Sequence, residues 1–443
     1  GQTLTLDIVK LEPASAWLQL TTIPSRANVT FDDSFKGQTP LRISVSPDKT
    51  HRLAIFKAGY QHVNRELTLD SGEKKSLALK LKPRLASVTI QTNPVDARLY
   101  IGGKLVGTGK QTLQLPAYRQ VLEVRKAGYQ SQRHAITPRP GFEQSMKIRL
   151  LTEHQAKWAK VKPRLISAAG QQLLLFHPNK FTMGASRREA GRRSNETLVS
   201  VDMTRAFYLS NKEVTNAQFR EFSRGHSSGH VEGQSLDGDQ QPVVNVSWMQ
   251  AAVYCNWLSE RDALTPFYQI NSNQLVVINR RANGYRLPTE AEWAWAARTQ
   301  KNKTLLKFPW GAQLPPPDAS GNYADSDSAA ITGRAIAGYQ DGFMVTAPVG
   351  SFVANSLALF DMGGNVSEWV NDYYGLSTQG VNKIIRNPLG PDKGEYRVIR
   401  GSSWAHATVT ELRLSYRDYG LKAKNDLGFR VARYVESAMD DKK

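Results

Sequence analysis

Along the first third of the chain, apolar and polar residues alternate, and Gly, Pro and Asp break the alternation about every 8–12 residues. His51-Arg-Leu-Ala-Ile-Phe56 and Gln120-Val-Leu-Glu-Val-Arg125 are the clearest runs, and Ser76-Leu-Ala-Leu-Lys-Leu81 and Ser145-Met-Lys-Ile-Arg-Leu150 read the same way. A period of two sends successive side chains to opposite faces, so these runs predict half-buried strands. The pattern also repeats. Lys57-Ala-Gly-Tyr-Gln61 returns as Lys126-Ala-Gly-Tyr-Gln130, 69 positions later, and Thr22-Ile-Pro-Ser-Arg-Ala-Asn-Val-Thr-Phe31 matches Thr92-Asn-Pro-Val-Asp-Ala-Arg-Leu-Tyr-Ile101 at a spacing of 70. Two tandem antiparallel β-sandwich domains are expected, over 1–85 and 86–151, with the glycine of each Ala-Gly-Tyr at a positive-φ or bulge position. A short helix or linker is expected over 152–171.

The pattern changes beyond that point. Short apolar runs sit among Trp, Asn and Gly, and few periodic segments stand out. Ser247-Trp-Met-Gln-Ala-Ala-Val-Tyr-Cys-Asn-Trp-Leu-Ser-Glu260 has a serine start and helical apolar spacing. Pro288-Thr-Glu-Ala-Glu-Trp-Ala-Trp-Ala-Ala-Arg298 opens with Thr289 as N-cap and acids in its first turn. A third helix is predicted over 211–222, capped around Thr215. Cys255 falls on the apolar stripe of its helix, which predicts a buried core thiol and not a nucleophile.

Composition narrows the functional classes. The 443 residues are 40% hydrophobic and 22% charged, which suits folded domains, and no run approaches the ~18 apolar residues of a membrane helix. The chain begins with Gly and not Met, so a signal or membrane anchor is expected to lie outside it. One cysteine excludes an internal disulfide, a Cys-rich zinc site and any two-thiol mechanism. The formal charge of +19 is uneven: residues 1–163 hold 26 Lys and Arg against 12 Asp and Glu, while the other 280 hold 32 against 27. Such a field favours anionic partners, but the basic residues are scattered singly without stacking aromatics, which argues against nucleic acid. A solvated basic surface that keeps the repeats soluble accounts for the same charge.

The repeats resemble PEGA domains. The tetrapeptide for which that family is named reads Pro24-Ser-Arg-Ala27 and Pro94-Val-Asp-Ala97, keeping Pro and Ala only, while the downstream Lys-Ala-Gly-Tyr is intact twice. The resemblance implies bacterial envelope proteins in which the domain is a spacer or adhesive module. The later part resembles the formylglycine-generating enzymes, or sulfatase-modifying factors. The matching stretches run in order from Phe181-Thr-Met-Gly184 and Glu213-Val-Thr-Asn216 through Tyr285-Arg-Leu-Pro-Thr-Glu-Ala-Glu-Trp293. They continue with Phe308-Pro-Trp-Gly311, Asp361-Met-Gly-Gly-Asn-Val-Ser-Glu-Trp369, Arg400-Gly-Ser-Ser-Trp404 and Leu427-Gly-Phe-Arg430. This implies a domain over 172–436, a tail over 437–443, and an α+β, C-type-lectin-like fold with much irregular chain.

The family's activity, oxidation of a sulfatase cysteine to formylglycine with copper held by two cysteines about five residues apart, meets an obstacle here. The two cysteine positions fall on Ala405 and on Val409 or Thr410, and an aromatic of the enzymes is replaced by Ser367. Neither Ala nor Thr binds a soft metal as thiolate does. Copper is therefore not expected, and formylglycine generation is excluded. His406, Arg413 and Arg417, with Asp418, mark an alternative pocket for an enzyme of other chemistry; the eight histidines show no metal-ligand spacing. The resemblance further implies two structural Ca²⁺ sites. One comprises Asn322, Tyr323 (backbone), Asp341 and Phe343 (backbone); the other comprises Asp361, Gly364, Val366 and Glu368. Arg286, Arg400 and Arg430, and Trp248, Trp293, Trp310 and Trp369, are expected as core ties and anchors.

The expectation is a non-catalytic bacterial envelope protein, periplasmic or at the surface, serving as a protein-binding scaffold. The alternatives are an enzyme of unassigned chemistry and a binder of peptidoglycan or another anionic surface polymer through the basic repeats.

Overall fold

The computed structural model describes residues 14–271, 276–300, 304–376 and 380–435, so the stretch at 1–7 and the tail at 437–443 lie outside the described residues. The chain divides into two compact units, 1–161 and 162–443.

In the first unit, β1 (Ala16–Ile23), β2 (Asn28–Phe31), β3 (Ser34–Gln38), β4 (Leu41–Val45), β5 (His51–Phe56), β6 (Val63–Leu67) and β7 (Lys74–Lys80) form one module. The second comprises β8 (Leu85–Asn93), β9 (Arg98–Ile101), β10 (Lys104–Thr108), β11 (Gln111–Pro116), β12 (Gln120–Arg125), β13 (Gln132–Ile136) and β14 (Gln144–Arg149). Each has a three-stranded sheet, β4-β1-β7 or β11-β8-β14, and a four-stranded one, β3-β2-β5-β6 or β10-β9-β12-β13. The alternation does what the sequence predicts: Leu18, Leu20, Val29, Leu53 and Ile55 close one core, and Val88, Ile90, Leu99, Leu122 and Val124 the other. Pairing departs from an all-antiparallel sandwich at one place in each copy. The last strand returns beside the first in the same direction, β7 along β1 and β14 along β8.

The repeated Lys-Ala-Gly-Tyr is a junction. Gly59 and Gly128 both have positive φ, 83° and 78°. Their carbonyls accept an N–H at the start of the next element, from Arg84 just before β8 in the first copy and from Glu153, the first residue of the following helix, in the second. Only Gly59 is also crowded, because a Cβ there would lie 2.4 Å from the Ala117 carbonyl oxygen. Tyr60 stacks on Tyr118 at 5.6 Å across the same junction.

The expected linker over 152–171 is divided. Helix α1 (Glu153–Trp158), capped by Thr152, closes the first unit, while strand Arg164–Ile166 pairs with Gln172–Phe176 and opens the second. That pair continues antiparallel through Phe207–Ser210 and Ala432–Tyr434 to Tyr285–Arg286, so the unit's first and last strands share one sheet. A four-stranded sheet orders Arg417–Gly420, Arg397–Arg400, Ser367–Tyr373 and Leu427–Gly428. Helices α2 (Asn216–Phe222), α3 (Trp248–Arg261) and α4 (Glu290–Arg298) start at Thr215, Ser247 and Thr289, each with a reciprocal capping box. α2 is shorter than predicted because 211–214 is a bend followed by irregular chain, with Val214 N–H donating to the Phe429 carbonyl. Between 304 and 366 the described chain holds one short helix, α5 (Ala329–Thr332), and the turns around it are fixed by side chains instead of a ladder.

Candidate functional site

The residues expected around the lost thiols lie on and before α6 (Val409–Leu412), a single turn whose N-cap Thr408 forms a capping box with Glu411. Thr410 is the second residue of this turn. Ala405 precedes it, held by its N–H to the Ser403 hydroxyl at 3.3 Å. Ser367 is buried and donates its hydroxyl to the Gly401 carbonyl at 3.0 Å. A methyl and two hydroxyls offer nothing to a soft metal.

His406 is locked. The Ser403 N–H donates to its Nδ1 at 3.1 Å, which puts the neutral ring's proton on Nε2, and Nε2 faces Glu411 Oε1 at 3.9 Å. Burial pushes the His406 pKa down. Burial would raise Glu411, yet His406, Thr408 and Arg334 hold it below its ordinary value; Arg334 Nη1 reaches both of its oxygens at 2.9 and 3.2 Å. The lone pair with which His406 would act as base is thus already in use. Glu411 was missed in the sequence, although it carried two signals: a Thr-x-x-Glu capping box and a five-residue spacing from His406.

Arg413 and Arg417 do not join His406. The Arg413 side chain is fully buried, with Glu196 accepting at 2.6 Å from both Nη atoms, Glu189 at 3.1 Å, and the Gly191 carbonyl at 2.5 Å. Arg417 makes a two-pronged pair with Glu290 at 2.6 and 2.9 Å and donates to the Gly375 carbonyl. Charge-assisted, bidentate pairs of this kind fix geometry; both Nη groups of Arg413 and the Nε, Nη1 and Nη2 of Arg417 donate inside the fold.

The expected calcium ligands behave differently in their two sets. In the first, Asp341 accepts the N–H groups of Tyr323 at 2.9 Å and Phe343 at 3.0 Å, and burial pushes it up to about 7. Asn322 is buried; its amide nitrogen donates to the Val345 carbonyl at 2.8 Å, and its Oδ1 has no hydrogen-bond partner. Asp325, which accepts the Asp341 N–H, adds a second carboxylate. An unpartnered buried oxygen beside desolvated carboxylates has the donor chemistry of a Ca²⁺ site, so the first set fits the ion. In the second set, Glu368 is already taken: Arg430 holds it through Nε and Nη2 at 2.6–2.9 Å and Trp293 Nε1 donates at 2.9 Å. Its charge is already balanced by the buried Arg430 guanidinium, whereas Asp341 has no arginine or lysine partner among the described residues, so this carboxylate does not fit a cation as Asp341 does. Asp361 accepts the Gly350 N–H at 2.6 Å, and burial raises both it and Glu213 beside it. Gly364 (φ 111°) belongs where it is because a Cβ would press on the Asn322 backbone at 3.1 Å. Val366 is core.

The remaining anchors are structural. Arg286 pairs with Glu292 at 2.6 Å, and Arg400 donates to the Leu414 and Ser415 carbonyls. Trp248 and Trp369 donate to the Val370 and Val246 carbonyls, and Trp310 to Gln313. Cys255 is fully buried, and burial pushes its thiol pKa up.

A domain built on an antiparallel sheet that holds its first and last strands, with capped helices, side-chain-fixed loops and buried arginine–carboxylate ties, matches the sulfatase-modifying factor enzyme 1-like domain over 160–435. The chain belongs to that family, and PEGA domains match over 15–85 and 85–154. It is 31% identical over 229 residues to the chaperone protein LppX of Paenibacillus barcinonensis, covering 47% of this chain and 73% of that protein. It is 32% identical over 218 residues to the formylglycine-generating enzyme of Bos taurus, covering 47% of this chain and 49% of the enzyme; the chain thus spans about half the enzyme's length. Among solved structures, Treponema denticola variable protein 1 aligns with a TM-score of 0.49 at 24% identity, covering 62% of this chain and 99% of that one. PvdO from Pseudomonas aeruginosa aligns at 0.46, also at 24% identity, covering 62% and 100%. No helix among the described residues is long and apolar enough to cross a membrane.

Proposed function

We propose that the chain is a non-catalytic envelope protein whose formylglycine-enzyme fold works as a protein-binding scaffold carried on two PEGA modules. The observation that carries this reading is the state of the lost thiol site: Ala405, Thr410 and Ser367 supply no redox ligand, the His406 Nδ1 lone pair accepts from the Ser403 N–H, and Arg413 and Arg417 are held in bidentate pairs by Glu196 and Glu290. The placement in the envelope is supported by the PEGA domains and the LppX likeness. A cysteine-bearing sulfatase peptide incubated with the chain and copper(I) should yield no formylglycine by mass spectrometry, under conditions where an active family member converts it. Turnover, or stoichiometric copper in the purified protein, would overturn the reading.

We also propose one structural Ca²⁺ at Asn322, Tyr323, Asp341 and Phe343, where it would answer the unpartnered Asn322 oxygen and pin loops that lack a ladder. A ligand bound only by the folded state stabilises it in proportion to the logarithm of its concentration. Chelation should therefore lower the thermal midpoint and added calcium restore it. An Asn322→Asp variant in the same test should stay calcium-responsive, and an unchanged midpoint on chelation sinks the site.

A further inference from the structure

The loop over 186–195 carries Arg187, Arg188, Arg192 and Arg193 with a single acid, Glu189. That acid is turned inward: its Oε1 accepts from Arg413 Nη1 at 3.1 Å and from the Ser415 hydroxyl at 3.2 Å. Glu196, just past the loop, is buried and also serves Arg413. These two carboxylates are therefore consumed by a guanidinium from elsewhere in the chain, and Arg187 and Arg188 are left facing out. Arg187 and Arg188 are exposed, and neither guanidinium has a hydrogen-bond or ion-pair partner among the described residues. Arg193 lies over the Tyr416 ring at 5.6 Å and reaches Asp418 at 3.6 Å, while Arg192 donates to the Ala185 carbonyl.

Position and rigidity add to this. Gly191 (φ 83°) gives its carbonyl to Arg413, and a Cβ on it would come within 3.1 Å of the Thr410 N–H nitrogen, so the loop lies directly on α6. Tyr416, under Arg193, meets His406 edge-on at 5.9 Å. The basic loop is thus one wall of the degenerate thiol site. Over residues 164–443 the basic residues exceed the acidic by only five, so four arginines within seven positions are a local concentration and not part of a general field.

We propose that this loop is the docking surface for an acidic segment of a partner protein, with Arg187 and Arg188 as its main contacts. The proposal rests on the scaffold reading and names the chemistry of the partner. Arginine forks match carboxylates bidentately, and a loop already pinned by Arg413 loses little freedom on binding. Single exposed pairs contribute little, so the fitting ligand is a segment with several carboxylates in succession.

The test uses the full chain and a labelled peptide of alternating glutamate and serine, read by fluorescence anisotropy at low salt and at about 0.3 M, where screening shortens electrostatic reach. Arg187→Glu/Arg188→Glu should weaken binding about tenfold. Lys74→Glu/Lys80→Glu, which reverses equal charge on β7 of the first module, should change it less than about twofold. All four residues are exposed, and an unchanged melting curve checks that both variants fold. Equal losses in the two variants, tighter binding of a labelled oligo-dT that the loop variant abolishes, or no peptide binding at all would each overturn the proposal. If the peptide fails to bind while no formylglycine forms, the scaffold reading stands and only this surface falls.

Discussion

Replacing Arg430 by methionine is expected to cost about 3–5 kcal/mol, because removal of one partner leaves a buried charge unanswered. Arg430 is fully buried and holds Glu368 through two nitrogens, the Phe360 carbonyl at 2.9 Å and the Ser210 carbonyl at 3.3 Å. Glu213 and Asp361 stand beside the same guanidinium, and burial already pushes both carboxyls up with Arg430 in place. Methionine fills much of the arginine's volume, so the loss reports charge and hydrogen bonds more than a void. Arg430→Met/Glu368→Gln should recover part of the stability, since the amide oxygen still accepts from Trp293. Urea unfolding of the two variants measures the difference. A single variant within about 1 kcal/mol of the wild type would mean that the guanidinium is not the counter-ion of this acid cluster.

A second large effect is expected from Asp372, as a dependence on pH. Its carboxyl is buried against the start of α4, where it accepts the Glu290 N–H at 2.9 Å. Burial pushes its pKa up to about 7, with the Glu290 charge adding to the rise and that N–H opposing it. The unfolded chain releases this proton near pH 4, so between about pH 4 and pH 7 the folded state binds more protons than the unfolded state. The contribution of Asp372 to stability falls as pH rises through that window, and above it the full penalty of this group applies, on the order of 4 kcal/mol for ~3 pKa units at 1.36 kcal/mol each. Asp372→Asn keeps the acceptor for Glu290 and removes the ionisation. Its thermal midpoint should exceed that of the wild type at pH 8, with the gain shrinking steadily toward pH 4. A gain that does not vary with pH would place the penalty elsewhere.

Both residues illustrate what the sequence makes legible. Local chemistry reads well: the capping boxes at Thr215, Ser247 and Thr289 start their helices where a hydroxyl and a residue three positions on can satisfy the first N–H groups. Strands β5 and β12 occupy the predicted residues because burial on one face is written as period-two alternation. Partnerships across long separations are not written in that way. Glu196 and Arg413 are 217 positions apart, and nothing in either neighbourhood says that this carboxylate is reserved for that guanidinium. The same holds for Arg417 with Glu290, so both arginines look like pocket residues in the sequence and are ties in the fold. The Ala-Gly-Tyr glycines were readable as positive-φ positions, whereas the crowding of Gly59 by Ala117 depends on where the second module begins. The family resemblance named both calcium sets alike; only the geometry separates an unpartnered Asn322 oxygen from a Glu368 already held by arginine.

The direction of one strand in each repeat has a mechanical consequence. Because β7 runs parallel to β1, paired from Trp17–Lys74 to Ile23–Lys80, the chain enters a module at one end of this ladder and leaves at the other. Tension between the two ends slides the strands past each other along their length. All the rungs then resist together, where a hairpin pulled from one side would unzip one rung at a time. The second module, with β14 beside β8, is strung the same way.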